Sequence, residues 1–553
     1  MENLGYLSIP QLVIRIDHLF SSIAMKLKGL GNRAYNIMFH THTVSGIVIS
    51  FALYVIFFAG AFTLFKDEFY QWENPKARVP LVSDIDYDNV FRQIKRKNPY
   101  FETDKDLYVA IPSKENPLIN IRGREVKKGS EPAYVGFIYN PVSHELQSDT
   151  PYTTTVGETL YRLHFLDQLP LLGRYLAGFI ALFFFFASLT GLLIHWRNIF
   201  SKFYGYSLKG TWRQIWTNAH TVFGLIGLPF QMMYAITGAF YLLTLLILAP
   251  AVMVLYGGDQ QKLLSVIRPY EGIKFDPKSP ETTKNLSISQ IISNLKTEHP
   301  DYHLTFLNID NYGREDGVMT TRIVDDRHFT GDGIISVRLR DGKKVVEVIP
   351  GNKAYVESVL DGIARLHFAK FGGLLLKTVY FILALFTCFV IISGVLLWKE
   401  ARNKKNYTEK QKRFHHRVTM WYLSICFGLF PATAILFNAE LLVSSESSKH
   451  TFWVNTTFFI SWLMLIILGL ICKTETKMTK VFLVLTGIFS LIIPLTNGLK
   501  TGDWIWVALF KSNYFVAGTD IFWLITGIST LFLSLLVKNK STVVSRKVVE
   551  EIA

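Results

Sequence analysis

The sequence predicts an all-α polytopic membrane protein of about eight transmembrane helices, with a duplicated hairpin core and two extracytoplasmic α+β insertions. Three observations carry that prediction. Half of the 553 residues are hydrophobic and 18% are charged, and the apolar residues gather into runs long enough to span a bilayer. Two patterns are written twice. His42-Thr43, Gly46 and Gly60-Ala61-Phe62 recur as His220-Thr221, Gly224 and Gly238-Ala239-Phe240 at an offset of 178; Arg162-Leu163-His164-Phe165 and Gly191 recur as Arg365-Leu366-His367-Phe368 and Gly394 at an offset of 203. Finally, two long segments of mixed character interrupt the apolar runs at equivalent places in the two repeats.

Taken in order, residues 1–37 form an N-terminal segment. Leu12, Ile14, Ile16, Leu19, Phe20 and Ile23 with Lys26 and Lys28 suggest an interfacial amphipathic helix there. The first span (38–65) leads into an insertion (66–163), a second span (164–196), a loop (197–219) and a third span (220–256). A second insertion (257–366), a fourth span (367–398), a basic loop (399–417), an additional four-helix block (418–537) and a tail (538–553) complete the chain. Within these, apolar runs lie near 43–65, 175–195, 222–247, 374–398, 418–442, 452–472, 479–499 and 517–537. The first run starts too far into the chain for an ordinary signal peptide, and no small-residue cleavage site follows it, so it is expected to remain as an anchor.

Orientation follows from the short loops. Arg197, Lys202, Lys209 and Arg213, then Lys399 to Arg417, then Lys473, Lys477 and Lys480, then Lys538 to Lys547 concentrate positive charge on one side. The short loops opposite carry only Lys449, Lys500 and Lys511. The positive-inside rule makes both termini cytoplasmic and sends the two insertions outside. It also accounts for the net charge of +15, which therefore gives no reason to expect nucleic acid; the large partner is the lipid bilayer.

Within the insertions, Ser83–Lys97 and Ser287–Lys296 predict amphipathic helices opening on polar caps. Ala133–Tyr139 and Ile334–Val348 predict strands, the latter folded at Asp341-Gly342 into a hairpin. The three cysteines, Cys388, Cys426 and Cys472, lie in or at the end of apolar runs without C-x-x-C spacing. Disulfides in the insertions, covalent c-type haem and four-cysteine iron–sulfur clusters are thereby excluded.

On this topology the repeated histidines sort by level. His42 and His220 enter the membrane from the cytoplasm, and His164 and His367 precede their spans at the outer face. Each pair can offer two axial imidazoles to one iron, which predicts two non-covalent, bis-histidine haem b groups suited to electron transfer. Gly46, Gly60, Gly191, Gly224, Gly238 and Gly394 suit the close approach of a flat macrocycle, and Arg162 and Arg365 are candidate propionate partners. A single histidine at a span end is more often interfacial or hydrogen-bonded, and small residues also serve ordinary helix packing; the fourfold repetition favours ligation. His40, His195 and His416 are additional candidates without repeat counterparts. His144, His299, His303, His328 and His450 read as surface residues. Glu440, near the outer end of the fifth span, is either interfacial or a buried carboxylate able to handle protons.

At these residues the chain resembles the PepSY-associated transmembrane proteins, which include ferric-siderophore reductases and iron-regulated membrane proteins. The resemblance rests on the His-initiated first span with Phe65-Lys66-Asp67-Glu68 and Trp72-Glu73-Asn74-Pro75. It continues through Leu163-His164, Ser188-Leu189-Thr190-Gly191-Leu192, His220-Thr221 with Gly224, Leu228-Pro229, Thr237-Gly238, Leu366-His367 and Ser393-Gly394-Val395-Leu396-Leu397-Trp398, over roughly 35–400. It implies PepSY-like insertions and two haems on His42, His164, His220 and His367, with electrons passing outward to a ferric siderophore or other ferric chelate. The block at 418–537 departs from the family's minimal core. No G-x-G-x-x-G fingerprint accompanies a strand–helix pattern, so membrane quinol or a partner reductase is the expected donor. Two rival readings remain from the sequence: a siderophore or metal transport accessory or permease without redox activity, and a membrane regulator whose PepSY-like insertions bind peptides or proteases.

Overall fold

A computed structural model describes residues 31–537, apart from 103–106, 128, 130, 150–154, 204–206, 208, 261, 264–272, 274–275, 277–278, 283 and 446. The amphipathic helix expected from Leu12 to Lys28 therefore lies outside the described residues, as does the tail at 538–553.

Helix α1 (Asn32–Thr63) is followed by a short α2 (Lys66–Glu73) and by α3 (Tyr87–Lys97). Strands β1 (Phe101–Glu102), β2 (Leu107–Ala110), β3 (Ile119–Glu125), β4 (Ala133–Tyr139) and β5 (Leu146–Asp149) come next. The chain returns through α4 (Val156–His164) to the bundle helix α5 (Leu172–His195), then α6 (Ile199–Phe203), α7 (Trp212–Ile226) and α8 (Leu228–Tyr256). The second insertion holds α9 (Ile288–Glu298), β6 (His303–Asp310), β7 (Val318–Val324), β8 (Asp332–Arg338), β9 (Lys344–Val348) and α10 (Tyr355–Phe368). Helix α11 (Gly373–Ala401) closes the core. The final block is α12 (Glu409–Leu442), α13 (His450–Ile471), α14 (Glu475–Thr501), α15 (Ile505–Phe510) and α16 (Tyr514–Leu536).

Eight of the described helices are long and apolar enough to cross a membrane, and they fall where the apolar runs lie. The third run differs. It divides into α7 and α8 at Gly227, because Pro229 has no N–H to give the Leu225 carbonyl. The ladder resumes on either side, with Gly227 N–H donating to Phe223 O (3.0 Å) and Gln231 N–H to Gly227 O (2.9 Å). The helix expected from Ser83 begins four residues later, where Asp86 accepts from Asn89 N–H and caps it. Ser287 caps α9 as expected, and Asp88 on α3 accepts from Ser287 Oγ (2.7 Å) and Ile288 N–H (3.2 Å) of that helix.

The two insertions are not separate domains. Strand β2 pairs antiparallel with β6, Val109 facing Leu307, so nine strands form one sheet in the order β5-β4-β3-β2-β6-β7-β8-β9, with β1 on β3. The pairing removes two open edges that separate domains would each expose. Helices α3 and α9 cover one face, burying Val90, Phe91, Ile94, Ile291 and Leu295 against Val109, Ile121, Leu307 and Ile335. Because the insertions leave and rejoin the bundle at the same ends of α1, α5, α8 and α11, the molecule has a sheet side and, opposite, a basic-loop side.

The final block is anchored to the segment after α1. Trp72, fully buried, donates its indole N–H to Asp520 (2.8 Å), whose other oxygen accepts from Asn497 (2.7 Å). Arg78 joins Asp503 (2.8 Å), Asn497 (3.2 Å) and Thr501 (3.0 Å) of the block to the carbonyls of Gln71 and Trp72.

Candidate functional site

The four repeated histidines meet in two pairs. On the basic-loop side the rings of His42 (α1) and His220 (α7) lie 6.0 Å apart, centre to centre. On the sheet side His164, at the end of α4, and His367, on α10, lie 6.1 Å apart. Along α1 the first pair sits at residue 42 and the second at Ile56, whose carbonyl meets His164; fourteen helical residues separate these levels by about 21 Å.

Each ring is held by its Nδ1. That of His42 donates to Ala187 O (2.9 Å), that of His220 to Val390 O (2.9 Å), and that of His164 to Ile56 O (2.8 Å). His367 Nδ1 instead meets Thr237 Oγ1 (2.8 Å), while Tyr234 O–H donates to the His367 carbonyl (2.9 Å). A carbonyl on Nδ1 selects the tautomer whose Nε2 carries a lone pair, the arrangement that metal-bound histidines use. Among the described residues none of the four Nε2 atoms has a hydrogen-bond partner. Two imidazoles on opposite sides of one ion, each nitrogen about 2 Å from it, have ring centres roughly 6 Å apart. Both pairs meet that requirement.

Glycines make room for these rings. A Cβ on Gly60 would stand 2.6 Å from His164 Nδ1, one on Gly191 3.1 Å from His42 Cε1, and one on Gly394 3.0 Å from His220 Cε1. Gly46 faces open space, Gly224 has one neighbour at 3.9 Å, and Gly238 packs on Ala181 rather than on a histidine. Gly60→Val should therefore displace the His164 ring and lower stability by about 1–3 kcal/mol, whereas Gly46→Val should be tolerated. Thermal unfolding of the two purified variants tests this; equal midpoints would refute the packing account.

A cavity of about 480 Å³ is lined by both sheet-side histidines, within the size range of small-molecule and cofactor sites. Phe57, Phe184 and Phe230 form its apolar wall, and Tyr234 and Tyr241 flank His367 at 5.1 and 5.2 Å. Four cations, Lys66, Arg174, Lys370 and Lys377, line it. Lys66 pairs with Glu158, Arg174 with Asp167 (3.2 Å) and Lys377 with Glu68 (2.6 Å), while Lys370 lies over Phe368. Burial raises Glu158, but Lys66 and Arg162 outweigh it and hold the carboxyl below its ordinary range. Burial wins at Glu68 and pushes its carboxyl up despite Lys377, and one Glu68 oxygen has no partner.

Neither Arg162 nor Arg365 lines this cavity. Arg162 pairs with Glu158 (2.8 Å) and Asp167 (3.6 Å). Arg365 is buried among Asp332 (2.8 Å), Asp361 (3.5 Å) and the His328 carbonyl, tying α10 to the sheet. On a helix a residue two positions before a histidine points to nearly the opposite face. The cations at the cavity had a signal of their own: Arg174 and Lys377 stand at the offset of 203 that relates Gly191 to Gly394.

The remaining candidates separate. His40 is exposed beside Phe39. His195, at the end of α5, lies within electrostatic reach of His42 and His220. His416 is not with it: its Nε2 meets Lys473 O (3.1 Å) and its Nδ1 lies 3.4 Å from Glu475, which also pairs with Lys399. His450 is no surface residue; its side chain is 14% exposed and meets buried Glu440 at 2.9 Å. The other oxygen of Glu440 has no partner.

These features define a multi-pass membrane protein with two facing pairs of imidazoles stacked through its bundle and a single sheet on one side. Residues 39–401 match the PepSY-associated TM region family, and the chain belongs to that family. Helices α12 to α16 lie beyond the match. A comparison with curated proteins finds no match.

Proposed function

We propose that the chain is a di-haem b-type electron-transfer protein of a bacterial inner membrane, reducing ferric iron outside the cytoplasm for iron uptake. In this reading two copies of a span–insertion–span unit form the core, and the shared sheet is built of two PepSY-like insertions facing the periplasm. The single observation that carries it is the pairing of four half-buried imidazoles, two and two, each ring steered through Nδ1.

Two haem b groups held by these pairs would supply one-electron transfer, dividing the crossing into shorter stages. The residues do the rest. His42 with His220, and His164 with His367, would hold the irons, and the carbonyls of Ala187, Val390 and Ile56 fix the ring orientation. Lys66, Arg174, Lys370 and Lys377, which line the sheet-side cavity, would offset the negative charge of propionates there. Phe57, Phe184 and Phe230 keep water from the apolar part of that cavity. The substrate is a ferric chelate, most simply a siderophore, since iron(II) binds oxygen donors more weakly and exchanges faster. Membrane quinol or a partner reductase supplies the electrons.

The purified protein should show a reducible b-type absorption spectrum with two haems per chain. A colourless protein, folded and monodisperse, would sink the proposal and return the chain to the class of transport accessories or peptide-binding regulators.

A further inference from the structure

Helices α3 and α9 cover only one face of the sheet, and the other face is turned toward the bundle at both of its ends. In the first insertion Ile138 packs on Tyr70, Ala77 and Leu118, close after α1. In the second, Asp332 receives Arg365 from α10, the helix that carries His367.

Between those attachments the register brings together a group that the electron-transfer reading does not use. Tyr108 faces Arg122 on one side and Asn308 on the other, and Phe306 faces Ala110. The Tyr108 and Phe306 rings stack at 5.7 Å, and the Arg322 guanidinium lies 5.2 Å from the Phe306 ring centre. Arg122 is exposed, the other three are partly so, and both guanidinium groups act on the Tyr108 phenol. Among the described residues neither arginine has a carboxylate partner. The arrangement has two-fold character. Val109 faces Leu307, so reversal about that pair exchanges Tyr108 with Phe306. Ile121 and Thr321, the other neighbours of Val109 and Leu307, are each followed by an arginine. His164 and His367 are likewise corresponding residues of the two sequence repeats.

We infer that this face, centred on Tyr108, Arg122, Phe306 and Arg322, docks the ferric substrate, and that the substrate is an anionic chelate built of aromatic rings, of the catecholate class. The inference rests on the reductase reading and names its substrate. Catecholate groups around iron(III) leave net negative charge, which unpaired guanidinium groups attract and can hydrogen-bond at the phenolate oxygens. Their rings present faces that stack on tyrosine and phenylalanine and on the guanidinium plane. Citrate chelates are anionic but have no ring. Hydroxamate chelates have neither the ring nor the strong negative charge.

The test uses gallium(III), which takes the place of iron(III) in such chelates and is not reduced, so that binding is read apart from electron transfer. The full chain in lipid nanodiscs should bind a gallium tris-catecholate about tenfold or more tightly than gallium citrate or a gallium hydroxamate. R122Q/R322Q should weaken catecholate binding about tenfold or more, and Y108L/F306L should narrow the preference over citrate. If either pair of changes prevents folding, the ligand preference of the unaltered protein still decides. Equal or tighter binding of citrate or hydroxamate, no catecholate binding, or a fully active R122Q/R322Q protein overturns the inference. Haem-loaded protein that binds no chelate leaves the reductase reading standing without this one. Colourless protein that binds catecholate through the arginines does the reverse.

Discussion

Purified protein carrying His164→Ala is expected to hold one haem instead of two, and His367→Ala to give the same result. Either change leaves the other imidazole facing an empty position across the 6.1 Å gap of the sheet-side pair. The His42–His220 pair, about 21 Å away along α1 and steered by its own carbonyls, should keep its spectrum. His42→Ala and His220→Ala should show the converse, and the two remaining signals should differ in potential because Tyr234 and Tyr241 flank only His367. Pyridine haemochrome quantification with redox titration reads this directly. Loss of both signals from a folded single variant, or of neither, refutes the pairing.

Arg78→Ala is expected to cost about 3–5 kcal/mol, the range for breaking a buried ion pair from one side. The guanidinium side chain is 3% exposed and makes five hydrogen bonds, reaching both the segment after α1 and the final block. Its removal leaves Asp503, itself buried, with Lys511 as its remaining cation. Arg78→Lys should recover little, since an ammonium cannot reproduce the planar fork. Thermal unfolding in detergent measures the loss. An unchanged midpoint in Arg78→Ala would mean that the Arg78 network adds nothing to what Trp72, Asp520 and the apolar contacts already hold.

The spans and the histidine pairs were legible in the sequence for local reasons: apolar length marks the helices, and repeated letters mark equivalent positions. Features that depend on helical phase were misread from proximity alone. Arg365 stands two residues from His367 in the chain and therefore on another face of α10, where Asp332 and Asp361 claim it. The cations at the cavity repeat in charge rather than in letter, Arg174 against Lys377, which a comparison of identities passes over. Long-range pairing left no local trace. Nothing near His450 announces that Glu440 will take it out of solvent, and nothing in either insertion announces that β2 and β6 complete one sheet.

That shared sheet governs the order in which the protein can be made. Val109 waits for Leu307, a partner 198 positions later. Until then the chain must thread α5, α7 and α8 through the bilayer and deliver the second insertion to the same side. Throughout that interval β2 presents an unpaired edge to whatever else is nearby, and the sheet closes only after a long-range search of the slow kind that non-local strand pairing imposes. Biogenesis is therefore expected to depend on protection of the first insertion during synthesis. Ribosome-stalled chains released before residue 303 should be protease-sensitive at β2, and chains extended past β7 should not.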